Sequence, residues 1–401
     1  MSELRTVAVV GAGLAGAKTV EALRAEGFDG RIVLFGEESH RPYERPPLSK
    51  GYLQGNDERE TVFVHPEGWY AEHDVDLRLG VPVTGLDRHA RELMTREGDV
   101  VHYDRLVLAT GATPRRLRLP GGDLPGVRYL RSLDDSDALR AAFRPGANVV
   151  VVGAGWIGLE TAAAARGAGA TVTVLESAEL PLLRVLGPRM AQVFAGLHRE
   201  NGVDLRFGVG VAAVHGDGSA VTGVELDDGS VIEADTVVVG VGVTPNVDLA
   251  QMAGLDVDNG VLANASLRTS DPHVFAVGDI ANAEHPVLGR RIRVEHWANA
   301  LHQPEVVAKS VLGREAVYDR LPYFFTDQYD LGMEYVGYAS ADDDVEVRGD
   351  LDGREFVALW TREGKVVAGM NVNVWDVTDR IRDLILAGQP ADAFELPAPS
   401  A

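Results

Sequence analysis

Two glycine clusters carry the chemistry legible in this chain. Gly11-Ala12-Gly13-Leu14-Ala15-Gly16 and Gly153-Ala154-Gly155-Trp156-Ile157-Gly158 both read G-x-G-x-x-G. The spacing suits a pyrophosphate. The first glycine permits a tight turn, the second lets phosphate approach the backbone, and the third lets a helix pack on the preceding strand. The unpaired N–H groups at the start of that helix then face the anion. An acid about 20 residues further on accepts hydrogen bonds from ribose hydroxyls. In the first cluster that acid is Glu37, with Glu38 the adjacent competitor; in the second it is Glu176, followed by Ser177 and Ala178 rather than by Arg or Lys. A carboxylate there repels a 2′-phosphate, so the second site is expected to take NADH rather than NADPH. Two such sites call for two dinucleotides, and the natural pair is a flavin and a nicotinamide.

Each cluster needs a strand before it and a helix after it. Thr6–Val10 is a short apolar run, residues 14–26 have helical periodicity, and Arg31–Phe35 is a second strand. The pattern returns as the strand Asn148–Val152, an alanine-rich helix over 157–167 and a strand over 171–175. Further strands are expected over 106–109, 205–209, Val221–Leu226, 236–241 and 274–277, then a long helix over 298–312. From about Leu321 the composition turns aromatic. Strands are expected there over 345–348, 356–361 and 365–370, a helix over 376–386, and a loose tail after Gly388. The fold class is therefore α/β, with two Rossmann-like dinucleotide-binding domains and a C-terminal α+β domain. The division is a discontinuous first domain over 1–113 and 244–319, a second over 114–243 and a third over 320–401.

Composition narrows the function. The 401 residues contain no cysteine, which excludes a disulfide scaffold, a cysteine-ligated metal and a redox-active dithiol. No metal site is expected. Lys and Arg number 38 against 60 Asp and Glu, and the net charge of -22 argues against nucleic acid as partner. No uncharged apolar run is long enough for a membrane span. The apolar stretch after Arg5 continues into Lys18, Glu21 and Arg24, which suits strand, turn and helix better than a secretory leader, so the protein is read as cytoplasmic.

The stretch Pro42-Tyr43-Glu44-Arg45-Pro46-Pro47-Leu48-Ser49-Lys50 resembles the PY-x-RPPLSK segment of the FAD-dependent NAD(P)H:ferredoxin reductases. That family includes putidaredoxin reductase and the reductases of aromatic-ring dioxygenases, and it is related to the apoptosis-inducing-factor flavoproteins. Leu108-Ala109-Thr110-Gly111, Gly242-Val243-Thr244-Pro245-Asn246, Phe275-Ala276-Val277-Gly278-Asp279 and Phe324-Phe325-Thr326-Asp327-Gln328 extend the resemblance over nearly the whole chain. It implies a glutathione-reductase-like arrangement with FAD on the first cluster. By the resemblance, Asp279 bonds the ribityl chain, Arg45 and Lys50 contact FAD, and Lys50 lies near the reactive edge of the ring. Glu160 lies near the nicotinamide and pairs with that lysine. Glu295-His296-Trp297 precedes the helix that faces the flavin. Trp297 and Phe325 are either flavin neighbours or plain core aromatics, and His296 is as readily structural as functional. The resemblance further implies a [2Fe-2S] ferredoxin or a rubredoxin as electron acceptor for an oxygenase. A small-molecule acceptor and a redox-sensing role are the alternatives. Monomer and homodimer stay open. Arg290, Arg291, Arg293, Lys309, Arg314 and Arg320 are candidates for a local basic docking face.

Overall fold

Valine fills the strands that precede the glycine clusters, and both strands are buried beyond their first residue in the computed structural model, which describes residues 4–397. Such continuous apolar runs suit parallel strands covered on both faces. Thr6–Val10 pairs in parallel with Arg31–Phe35 on one side and Arg105–Leu108 on the other. The full order of this sheet is Val274–Ala276, Arg105–Leu108, Thr6–Val10, Arg31–Phe35, Val75–Arg78. The second sheet repeats the plan, with Asn148–Val152 central between Thr171–Glu176 and Thr236–Val239, and Asp204–Phe207 and Val127–Arg128 at the edges. In each sheet the glycine cluster follows the strand from which the chain leaves in both directions, the place where open α/β sheets bind ligands.

By compactness the chain forms two units. The first is Met1–Glu44, Arg59–Thr113 and Thr244–Pro322; the second is Arg45–Glu58, Pro114–Val243 and Tyr323–Ala401. The second unit therefore holds both the second parallel sheet and a five-stranded antiparallel sheet. That sheet runs in the order Tyr323–Gln328, Leu331–Gly337, Lys365–Val372, Glu355–Arg362, Asp344–Asp350. Trp360 and Phe356 on it share one apolar core with Phe194 and Val151.

Three features were not legible beforehand. The helical stretch Leu183–Glu200 carries no continuous apolar period because Gly187 and Pro188 interrupt it; the backbone leaves helical geometry at Gly187, φ 73°, and the chain kinks there. Tyr323–Gln328 and Leu331–Gly337 form an antiparallel pair ahead of the aromatic strands that were expected. Third, Arg45–Glu58 makes its contacts in the second unit, although its place in the chain is within the first domain as divided by sequence. The cause lies in the helix Leu133–Ala142. Ser136 Oγ donates to the Leu48 carbonyl, Tyr52 Oη donates to Asp137, and Arg45 Nε donates to the Arg131 carbonyl just ahead of that helix.

That helix starts with a capping box, in which Ser132 Oγ accepts from the Asp135 amide and the Asp135 carboxylate accepts from the Ser132 amide. Ser132→Ala removes half of it and is expected to cost about 1 kcal/mol. The measurement is the urea midpoint of the folded protein at unchanged slope.

Candidate functional site

In the first unit the turn after Thr6–Val10 is set by contact. Gly11 lies at φ +112°, and a Cβ there would stand 2.1 Å from the Ala109 carbonyl oxygen. A Cβ on Gly16 would stand 1.9 Å from the Gly11 carbonyl oxygen. Leu14 and Ala15 open the helix Leu14–Ala25 behind Gly13, with no capping side chain and no acid in the first turn. Its N–H groups and the positive end of its dipole are thus left to an anion.

Other segments of the first unit are fastened around this turn. Thr110 and Asn246 exchange two hydrogen bonds of 2.8 Å, Thr110 Oγ1 to the Asn246 carbonyl and Asn246 Nδ2 to the Thr110 carbonyl. The Asn246 amide also donates to the Gly111 carbonyl. Gly278 packs so close to the helix start that a Cβ on it would meet Ala15 Cβ at 3.1 Å, which brings Asp279 beside the turn. The Gly278 amide donates to buried Gln303 Oε1 at 2.7 Å. Arg293 donates to the Asp279 carbonyl and pairs with Glu295 at 2.6 Å. Asn246 and Gln303 were given no role by sequence reasoning, since an interior amide on a helix or in a loop carries no spacing signal. Of the two candidate acids, Glu38 accepts from Tyr43 Oη at 2.6 Å, whereas the Glu37 side chain is 76% exposed with Arg96 3.6 Å away.

His296 is the N-cap residue of the helix Trp297–Val311, and Trp297 is the first helical residue rather than the last before it. Trp297 Nε1 donates to Glu44 Oε2 at 2.9 Å, tying the helix start to the segment Met1–Glu44. Burial lowers the His296 pKa to about 4 against the opposing pull of Asp279, so the ring is neutral near pH 7.

The second unit has the same turn. Gly153 lies at φ +102° with its Cβ position 2.4 Å from the Gly240 carbonyl oxygen, and the Cβ position of Gly158 is 2.0 Å from the Gly153 carbonyl oxygen. A Cβ on Gly155 would meet nothing within 4 Å. Crowding at the first and third glycines with space at the second fits a backbone shaped for a pyrophosphate. The helix Trp156–Gly167 also begins with no capping side chain and no acid in its first turn, and Ile157 is exposed at its start. Glu176 ends its strand with Oε2 accepting from the Ala154 amide at 2.8 Å and Oε1 from the Ala178 amide at 2.9 Å. The Gly242 carbonyl accepts from the Arg115 amide.

Glu160, one turn into that helix, is only 3% exposed. Lys50 Nζ donates to its Oε1 at 2.8 Å, Thr326 Oγ1 donates to the same oxygen at 2.5 Å, and Ser49 Oγ donates to Oε2. A carboxylate this far from water is tolerable only with such partners. The Lys50 ammonium also lies 5.3 Å from the centre of the Phe325 ring, within reach of a cation–π attraction. Phe324 and Phe194 both pack on Trp156, the residue after the middle glycine of the second cluster.

The candidate basic face is largely neutralised within its own unit. Arg291 pairs with Glu284, Arg293 with Glu295, Lys309 and Arg314 with Glu26, and Arg320 with Glu305. Among the described residues there is no group of three or more His, Asp or Glu that could hold a metal, and no helix long and apolar enough to cross a membrane.

Two strand–glycine turn–helix devices, each with an acid at the end of the next strand, define a two-dinucleotide oxidoreductase. The chain belongs to the pyridine nucleotide-disulphide oxidoreductase family, whose model matches residues 5–303, followed by a reductase C-terminal model over 323–401. It is 40% identical over 397 residues to the anthranilate 1,2-dioxygenase system ferredoxin–NAD(+) reductase component of Burkholderia cepacia, covering 98% of this chain and 97% of that one. It is 39% identical to rhodocoxin reductase of Rhodococcus erythropolis, over 88% of this chain and 82% of that one. A solved covalent putidaredoxin reductase–putidaredoxin complex matches with a TM-score of 0.93 and 37% identity, covering 96% of this chain and 94% of that one. The family name refers to a disulfide that this cysteine-free chain lacks.

Unfolded histidine titrates near 6.5, above the folded value of about 4 for His296. Between these values the unfolded chain binds a proton that the folded chain does not, so His296 makes stability fall as pH drops from about 6.5 towards 4. His296→Asn removes this contribution and keeps a residue suited to an N-cap. The stability difference between wild type and variant is expected to be flat above about pH 7.5 and to change by up to about 1.4 kcal/mol per pH unit inside the window. Denaturant unfolding at a series of pH values measures it.

Proposed function

We propose that this chain oxidises NADH on a bound FAD and passes the electrons singly to a small iron–sulfur protein, a [2Fe-2S] ferredoxin or a rubredoxin, that serves an oxygenase. The observation that carries the reading is the repeated cradle, crowded at Gly11 and Gly16 and again at Gly153 and Gly158, in a chain without cysteine. When bound, FAD supplies the group that accepts hydride from nicotinamide and releases electrons one at a time. Everything else asked of the protein is alignment and electrostatics.

In this reading residues 1–113 and 244–319 hold FAD. Gly11, Gly13, Leu14, Ala15 and Gly16 receive its pyrophosphate, and exposed Glu37 takes ribose hydroxyls. Ala109, Thr110, Gly111 and Asp279 line its path, and Glu295, His296 and Trp297 meet the ring. Residues 114–243 hold NADH through Gly153, Gly155, Ile157, Gly158, Glu176 and Gly242. Arg45 and Lys50 contact FAD, and the Lys50–Glu160 pair fixes the nicotinamide. The neutral His296 suits this chemistry, since hydride transfer asks for no acid at the nicotinamide. The acceptor class rests on the relatives, named as reductases of ferredoxin or rhodocoxin and, in one case, solved in complex with putidaredoxin.

The preference for NADH over NADPH rests on Glu176, which two backbone amides hold at the end of its strand and which in this reading would meet the ribose with its carboxylate. Like charges brought together at a binding site cost several kcal/mol, so kcat/KM should favour NADH by at least about tenfold, and Glu176→Ala should narrow that ratio. An equal or reversed ratio in wild type would refute the preference. The function itself is tested by anaerobic titration. One equivalent of NADH should bleach the flavin absorbance of the purified protein, and an added oxidised [2Fe-2S] ferredoxin should restore it. A protein that carries no flavin, or whose flavin NADH leaves unreduced, would overturn the reading.

A further inference from the structure

Behind Glu160, within the second unit, runs a buried chain of side chains that the proposed reaction does not use. Thr326 and Gln328 lie two apart on the strand Tyr323–Gln328, so they share a face, and both are fully buried. Gln328 Nε2 lies 3.1 Å from Thr326 Oγ1, and Gln328 Oε1 lies 2.8 Å from His198 Nε2. His198 comes from the helix Leu183–Glu200 and is fully buried, and its Nδ1 lies 3.5 Å from Tyr329 Oη. Polar groups this deep in an apolar core are costly unless each is satisfied.

Hydrogen-bond chemistry fixes the direction of every link. Lys50 has only protons to give, so the Glu160 oxygen it meets is an acceptor. Thr326 must then donate its single hydroxyl proton to that same oxygen. Having spent it, Thr326 can only accept from Gln328, which turns the Gln328 amide nitrogen to the threonine and its oxygen to His198. An acceptor at that place requires a proton on His198 Nε2 and leaves Nδ1 bare, facing Tyr329 Oη. Flipping the Gln328 amide would make it accept the hydroxyl proton of Thr326, and Glu160 would lose a donor. Each choice follows from the one before, so the charge at Glu160 dictates the tautomer of His198 across three hydrogen bonds.

We propose that Gln328 and His198 are positioning residues for Glu160: they lock Thr326 as a donor and thereby hold the carboxylate where it meets Lys50. The role rests on the reading above, in which that pair fixes the nicotinamide. Burial keeps the His198 ring from acquiring charge, which suits a fixed, neutral spacer better than a proton carrier. The effect on the reaction is therefore geometric, through orientation of bound NADH.

The test reads the tautomer and the hydride step separately. Imidazole nitrogens of the 15N-histidine-labelled holoenzyme are recorded by NMR. His198 is identified by the signal lost in His198→Asn, or by the signal shifted in Tyr329→Phe should the first variant not fold. The expected result is a single tautomer carrying its proton on Nε2. Thr326→Val should release it to a mixture, and Thr326→Ser, which keeps the hydroxyl, should retain the wild-type form. Gln328→Met keeps the volume but ends the link. In stopped flow its limiting rate of flavin reduction by NADH should fall roughly tenfold, as expected if Thr326, no longer held by Gln328, gives up its hydrogen bond to the charged Glu160, with the apparent Kd for NADH changed by less than about twofold. A proton on Nδ1 in wild type, or a tautomer indifferent to Thr326→Val, would refute the directional chain. A tautomer that responds while Gln328→Met reduces flavin at the wild-type rate would refute the positioning role alone. If instead Glu160→Gln leaves flavin reduction unchanged, it is the assignment of the Lys50–Glu160 pair to the nicotinamide that fails.

Discussion

The closest contact in each glycine cluster is also the one its surroundings depend on. The third glycine presses on the carbonyl of the first, at Gly16 on Gly11 and at Gly158 on Gly153, with room for no further atom. This contact sets the angle at which the helix leaves the sheet, and hence where its uncapped N–H groups point. The first glycine is pinned from the other side by a neighbouring strand end, the Ala109 carbonyl in one unit and the Gly240 carbonyl in the other. A side chain at any of these positions would push apart a strand, a turn and a helix together. The middle glycine of the second cluster is different, since nothing in the protein crowds it. Its lack of a side chain is of use only to something that approaches from outside.

Elements whose signal is local were legible from the residues alone. Apolar strands flanked by glycine and followed by a helical period announced both parallel sheets, because backbone geometry, burial and turn chemistry all point the same way there. Where local signals conflicted, the reading failed. Leu183–Glu200 carries Gly187 and Pro188 in its first turns; the backbone leaves helical geometry at Gly187, and the helix that resumes after it is held on the core by buried Met190, Phe194 and Leu197. The placement of Arg45–Glu58 was beyond reach for another reason. It depends on hydrogen bonds from Arg45, Ser136 and Tyr52, all to or from residues some 85 positions distant, and no window along the chain contains both partners.

The site residues divide on the same line. Glycines and strand-end acids could be named because their roles are steric and local. The supporting amides Asn246, Gln303 and Gln328 could not, since an amide is common on any surface and becomes informative only once its partner is seen. Glu160 stands between the two cases. Its place after the glycine cluster was visible, whereas its burial and its partners Ser49 and Thr326 were not.

Charge explains why that carboxylate needs so much company. The chain carries a large negative excess, and among its exposed acids another carboxylate would add little. Buried beneath Lys50, Glu160 has no water to solvate it, so its stability rests on fixed donors. Ser49 and Lys50 are adjacent in the sequence and approach from the short segment tethered by Ser136, while Thr326 approaches from the antiparallel sheet. Two separated stretches of chain thus converge on one helix residue. A buried ion pair adds little net stability compared with an apolar replacement, but breaking it leaves a charge stranded, so its geometry is guarded by everything that touches it. The absence of cysteine sharpens the point. With no dithiol to relay electrons, what the second unit could offer a nicotinamide under the proposed reading is placement, and placement is what a rigid, hydrogen-bonded carboxylate supplies.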